Sequence, residues 1–497
     1  MIGKKEPQDK LFVTVSLEKL VPKQDYYRGL LSILDLRFVY QECEKYYGKT
    51  GKPSIDPVIF FKIVLYGFFE NITSDRKLIE RINDSLSARY FVGYELDEPI
   101  PWHSTISRTR GLLGEEVFVG IFTKIVHLCV EKGLVEGKHL SIDSTLIKAN
   151  ASLDSLERKV PALTIAEYVE QTEPQEEEAP AREAEERDKD VTPLQHIDGE
   201  NKKQKNIQFC NANYVSKTAA DSKVATKPNA LTNLYYKTHY TVEPSRVITD
   251  VLTTTADKDD ASGLVTCLTR SQERLKQFNM KIESVGADRG YCTGENLRAV
   301  EAMDIIPFIP SKRYVNTTGK YDNSKFRYDS QKKVYICPNG KELSYRKSDD
   351  EKKTDIYLAK TSDCKVCPLK EECSISKGGR KICRSYFKEE YSRLSVRMKS
   401  ESGKYAMKIR KTVTEPLFAE GKENHGLRKF MTRGLDKAKK NAYMIATVQN
   451  IKRIIKVLKK AENGQKSVVH EETTSFLERM AILIMHQAFS NFLIFAR

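Results

Sequence analysis

Between residues 54 and 134 the apolar positions recur at intervals of three and four. They run through PVIFFKIVLYGFFE, DRKLIERINDSLSARYFV, STISRTRGLL and EEVFVGIFTKIVHLCVEKGL, and Leu78, Ile82 and Leu86 show the spacing. This pattern predicts an all-helical N-terminal domain over residues 1–135, with Asp56 and Ser104 placed as helix caps. After Gly137 the period shortens. HLSIDSTLI, LYYKTHYTV, VITDVLTT, KIESVGAD and IIPFIP are short β-branched and aromatic runs, and the helical stretches SGLVTCLTRSQERLKQF and GENLRAVEAM flank the fourth. Three strands, a helix, a strand, a helix and a strand predict a mixed α/β layer domain over residues 136–310.

Two segments interrupt the pattern. From Glu170 to Asp190 there are ten Asp and Glu against three Lys and Arg, with Pro174 and Pro180, so a solvated, disordered insertion is expected at about residues 156–205. Residues 311–405 form a second, Lys-rich insertion that holds five of the ten cysteines. Helical character returns over residues 406–465. The last stretch, residues 466–497, contains FLERMAILIMHQAFSNFLIFAR and reads as an apolar helix that packs on the core or dimerises.

Composition narrows the partners. The chain has 497 residues, 83 Lys and Arg against 68 Asp and Glu, and a formal charge of +15. That length suits about three units of roughly 150 residues each. From Glu401 to Lys460 there are 16 Lys and Arg against five Asp and Glu, so the positive excess is concentrated there. A polyanion, most simply nucleic acid, is the expected partner. The mean hydropathy of −0.51 and the lack of a 20-residue apolar run speak against a membrane span. The polar start MIGKKEPQDK has no apolar segment behind its lysines, so a cytoplasmic, reducing location is expected.

The short segment from His103 to Leu113 offers Arg108 and Arg110. It reads either as the second helix of a helix-turn-helix on DNA or as a surface helix with two arginines.

Three acids stand out. Asp143 lies in mid-strand, where burial is costly without a partner or a cation. Asp288 ends the run KIESVGAD, at the strand end where α/β sheets present their sites; Gly290 then permits a tight turn and Thr293 caps the next helix. Singly, each Asp also fits a turn or cap. Glu415 opens the basic region. Three converging carboxylates would repel unless divalent cations neutralised them, and hard oxygen donors suit Mg²⁺ (or Mn²⁺). Lys422, seven residues on, shares a helix face with Glu415 and suits a backbone phosphate. Pro416 places the helix start near Thr414, which leaves Lys411 beyond it.

The series IDSTLIKAN, YYKTHY, GADRGYCTGENL and then Arg410 to Arg453, with TEPLF, RG and NIKRI, resembles bacterial insertion-sequence DDE transposases with an RNase H-like catalytic core. The helical segment ending PWHSTISRTRGLL is similar to their InsH-type N-terminal domain. The resemblance spans roughly residues 50–460. It implies that Asp143, Asp288 and Glu415 are the catalytic, metal-binding triad and that Lys422 is the family's lysine after the glutamate. The family's arginine falls on Lys411, next to Arg410, and Arg428 and Arg433 join these as DNA-contacting positions. Tyr236, Lys237 and His239 match a YK-x-H pattern, in which Lys237 and His239 share a strand face and either line the site or pair structurally. The implied function is DNA transposition, a form of DNA recombination: hydrolysis at the terminal inverted repeats of the insertion sequence, then strand transfer into target DNA, by a homodimer in the bacterial cytoplasm associated with the nucleoid.

Cys337, Cys364, Cys367, Cys373 and Cys383 occur as YICPNG, SDCKVCPLKEEC and KIC. One C-x-x-C with a third Cys beyond and a fourth, Cys337, upstream fits a structural Zn²⁺ site, and equally fits reduced thiols. Two further functions stay open, an RNase H-like nuclease or resolvase that cuts without joining, and a non-catalytic DNA-binding protein derived from a transposase.

Overall fold

The protein is described from a computed structural model that covers residues 15–48, 50, 51, 54–159, 211–226, 232–311 and 319–462. The apolar segment 466–497 and nearly all of the acidic insertion lie outside the described residues; at the edge of that insertion Leu156–Arg158 pairs with Tyr214–Ser216.

The N-terminal region is helical because its periodic apolar faces must find partners. Helix α1 (Pro57–Phe69) starts where the Asp56 carboxylate accepts the Val58 and Ile59 N–H groups, with Pro57 filling a first-turn position whose N–H would be spare. The expected single helix over 75–92 is instead two, α2 (Asp75–Asp84) and Leu86–Val92, because Ser85 turns extended and caps the second. Helix α3 (His103–Leu112) starts one residue before the expected cap: Trp102 precedes it and Ser104 lies within its first turn, so Ser104 is no cap. Helix α4 (Glu115–Glu131) buries Val117, Phe118, Ile121, Phe122 and Ile125.

The central sheet contains β1 (His139–Lys148), β2 (Asn233–Val242), β3 (Ile248–Thr255), β4 (Ser284–Ala287) and β5 (Ile306–Phe308) in the spatial order 3-2-1-4-5. Strands β1, β2 and β3 are antiparallel, while β4 and β5 run parallel to β1. Helices α5 (Leu264–Lys276) and α6 (Gly294–Ala302) make the crossovers, as the strand and helix order predicts. A second sheet of five antiparallel strands occupies Arg327–Ser385 and buries its own small core of Phe326, Tyr335, Leu343, Tyr357, Ala359 and Ile382. The chain then returns through α7 (Lys388–Lys399), α8 (Glu401–Ile409), α9 (Glu415–Asn424) and the long α10 (Leu435–Glu462), which joins the main core through Ala438, Ala442, Met444, Ile445 and Ile451. No helix among the described residues is long and apolar enough to cross a membrane.

Candidate active site

The parallel pairing of β1 with β4 sets Ile142 opposite Ala287, so the next residues are neighbours: Asp143 in the middle of β1 and Asp288 just past the end of β4. Glu415 arrives from the far end of the chain on α9. Between α8 and α9 the helix does not stop, as Pro416 led us to expect; it widens into one π-turn over Arg410–Thr414. The wider turn removes the clash between the Pro416 ring and the Thr412 carbonyl four residues back, and Arg246 Nη2 donates to that freed carbonyl at 3.3 Å.

The π-turn also changes which side chain faces the acids. With an extra residue in the turn, the position five before Glu415 comes under it instead of the position four before. Arg410 Nη1 therefore reaches Asp143 Oδ2 at 3.2 Å and Glu415 Oε1 at 3.0 Å. Lys411 is exposed on another side, lining a surface hollow with Lys404, Met407 and Lys408. Lys422 points inward, its Nζ donating to Thr145 Oγ1 at 2.6 Å. Thr145 is two residues from Asp143 and on the same strand face.

Burial pushes the Asp143 carboxyl up to about 6; the Ser144 N–H and Arg410 oppose this, and the nearby charges of Asp288 and Glu415 reinforce it. Burial likewise lowers Lys422, helped by Arg428 and opposed by Asp143. Among the described residues, no three His, Cys, Asp or Glu side chains stand so as to hold an ion. At the triad, the Arg410 guanidinium lies between Asp143 and Glu415. The donor chemistry fits a hard divalent cation all the same, since all three side chains offer carboxylate oxygens.

The other expected DNA contacts separate. Arg108 is exposed on α3. Arg110 is not free for a phosphate: it is buried, with Nη1 and Nη2 donating to the two Asp75 oxygens at 2.9 and 2.8 Å. Arg428 is exposed and paired with Glu423. Arg433 is exposed at a groove of about 390 Å³ that Lys429 and Lys437 also line.

On the opposite sheet face, Lys237 Nζ meets Asp260 Oδ1 at 2.8 Å and His239 Nδ1 meets the Tyr291 hydroxyl at 2.6 Å. Asp260, Ser144 and Tyr291 were not singled out by sequence; the acid run before α5 is the one signal that marks Asp260. Gly290 does not adopt a left-handed turn. It is glycine because a Cβ there would stand 2.7 Å from Asp260 Oδ2. Thr293 does cap α6, accepting the Asn296 N–H at 3.1 Å.

In the second sheet, Cys337, Cys364, Cys367 and Cys373 line one cavity of about 30 Å³, whereas Cys383 is exposed. The Lys341 and Arg380 N–H groups point at the sulfurs of Cys337 and Cys364, at 3.3 and 3.5 Å.

Two family models match. Residues 15–112 match a Transposase domain (DUF772), and residues 336–455 match a Transposase DDE domain, a span that includes Glu415, Lys422 and all five clustered cysteines. No curated protein matches the chain. With a helical N-terminal domain, an RNase H-like mixed sheet presenting two aspartates, and a late glutamate in the DDE match, the two matches support an insertion-sequence DDE transposase.

Proposed function

We propose that this transposase cuts DNA at the ends of its insertion sequence and transfers the freed strands into target DNA, using Asp143, Asp288 and Glu415 with Mg²⁺ or Mn²⁺. The observation that carries this reading is the convergence of Asp143 and Glu415, distant in sequence, on the single Arg410 guanidinium. The three carboxylates would hold the cation, which when bound activates the attacking oxygen and stabilises the leaving one. The attacking oxygen is that of water in the first cut and of the freed 3′-hydroxyl in joining; each attack forms one P–O bond and breaks another. Arg410 and Lys422 flank the acids and are placed to meet the phosphate, and the exposed Arg108, Arg428 and Arg433 supply further backbone contacts. Lys411 contributes only from outside the site. The partner is double-stranded DNA, bound by two copies of the chain that pair two element ends, and the place of action is the nucleoid in the cytoplasm.

Cleavage and strand-transfer assays on DNA carrying the terminal inverted repeats, with Mg²⁺ and with EDTA, test this. Asp143→Asn or Asp288→Asn should abolish cleavage and leave end binding nearly intact, because binding rests mainly on Lys and Arg contacts to phosphate. Substantial residual cleavage would refute the triad. Cutting without joined product would identify a nuclease, and end binding without cutting a derived DNA-binding protein.

Cys337, Cys364, Cys367 and Cys373 are proposed to hold one structural Zn²⁺. A core of six buried residues is small for a five-stranded sheet, and N–H groups aimed at sulfur favour thiolates. Metal analysis should find one zinc per chain, and Cys364→Ser with Cys367→Ser should lower the melting temperature of this part. Absence of zinc with an unchanged melting profile would dispose of the site.

A further inference from the structure

The sheet face turned away from Glu415 carries a polar network that touches the surroundings of both catalytic aspartates. The antiparallel register sets Ser144 opposite His239 and Leu146 opposite Lys237, so Ser144, His239 and Lys237 share one face while Asp143 points to the other. Asp260 lies in the single turn Asp260–Gly263 after β3, and its Oδ1 accepts both the Ser144 hydroxyl at 2.9 Å and Lys237 Nζ at 2.8 Å. Lys237 Nζ also donates to the Lys258 carbonyl at 2.6 Å, which fixes the same loop a second time.

The other Asp260 oxygen faces Gly290, two residues beyond Asp288, so closely that a Cβ there would stand 2.7 Å from it. That loop is clamped twice more. The Tyr291 hydroxyl bonds His239 Nδ1, and Asn296 Nδ2 bridges the Ala261 carbonyl at 2.8 Å and the Tyr291 carbonyl at 3.0 Å. One carboxylate thus bonds the residue after Asp143 on one side and faces the loop after Asp288 on the other, where only a residue without a Cβ leaves it room. Its charge is answered by Lys237, so it adds no net charge beneath the triad.

We infer that Asp260 is a positioning residue, held by Lys237, that fixes the Asp143 and Asp288 carboxylates relative to each other for cation binding. This rests on the metal-dependent reading above and goes beyond it by naming what holds the first two acids in register. A carboxylate committed to Ser144 and Lys237 acts through its neighbours, as outer-sphere partners of metal ligands do.

The test uses the full chain with Asp260→Ala, Asp260→Asn and Lys237→Met. Mn²⁺ binding is measured on the protein alone by calorimetry, together with end cleavage, end-DNA affinity and melting temperature. Asp260→Ala and Lys237→Met should each weaken Mn²⁺ binding about tenfold and raise the Mn²⁺ needed for half-maximal cleavage by a similar factor. End-DNA affinity and melting temperature should stay near those of the parent. Asp260→Asn, which keeps an acceptor for Ser144 and Lys237, should recover part of the loss. Parent-like Mn²⁺ binding in Asp260→Ala would overturn the inference, as would a loss that merely follows a lowered melting temperature in both Asp260→Ala and Lys237→Met. Asp143→Asn serves as the control: if it too binds Mn²⁺ normally, the triad reading fails, independently of Asp260.

Discussion

Stability should fall as pH rises above 6.5, because a buried carboxyl of the core is still losing its proton there while the buried histidines no longer titrate. Glu243 follows β2 and is 2% exposed, with Oε1 accepting the Gly137 N–H at 2.7 Å; burial pushes its carboxyl from 4.5 up to about 8. Between those values the native state keeps a proton that the unfolded chain has lost, so stability falls with rising pH by ~1.4 kcal/mol per unit. His139 and His239 behave conversely. Burial drives each from 6.5 down to about 4, and their Nε2 atoms have no hydrogen-bond partner among the described residues. Below pH 6.5 the unfolded chain protonates first, and each histidine costs ~1.4 kcal/mol per unit as pH falls towards 4. Above 6.5 Glu243 acts alone among the three, costing ~2 kcal/mol by pH 8. Calorimetry at pH 6.5 and 8 on the parent and Glu243→Gln checks this, since Gln still accepts the Gly137 N–H and carries no titration. The parent should lose about 2 to 3 °C more than the variant over that interval. Equal losses in both proteins would refute the reasoning.

Two other substitutions follow from the geometry. Arg410→Ala should slow end cleavage by about a hundredfold, the worth of a charged contact of ~2.7 kcal/mol, whereas Lys411→Ala should change it by less than about threefold; single-turnover cleavage decides, and equal effects would remove the π-turn argument. Arg110→Met should lower the melting temperature, through loss of a partly buried pair with Asp75 of about 1–3 kcal/mol, and leave the salt dependence of end binding unchanged; a shallower salt slope would return Arg110 to the DNA surface.

The strands were legible because each is a short β-branched run whose sides differ, and two acids at strand positions were legible because a carboxylate there is costly. Thr293 and Asp56 were found as caps for the same local reason. What escaped depends on contacts between distant segments. Ser85 splits a continuous apolar pattern, Gly290 owes its identity to Asp260, and Arg110 is taken by Asp75; the 3.6-residue repeat records none of these. Pro416 was read correctly as incompatible with a regular helix interior, but the chain accommodated it by widening, an outcome that spacing arithmetic does not distinguish from a fresh start.

That widened stretch makes the reach of Glu415 a matter of counting. Deleting one residue between Arg410 and Thr414 would take out the extra residue of the widened turn, restore the Pro416 clash and swing everything upstream by roughly a quarter of a revolution relative to Glu415. A relative one residue shorter there would then need its guanidinium four places ahead of the glutamate, so length and arginine position are bound to vary together.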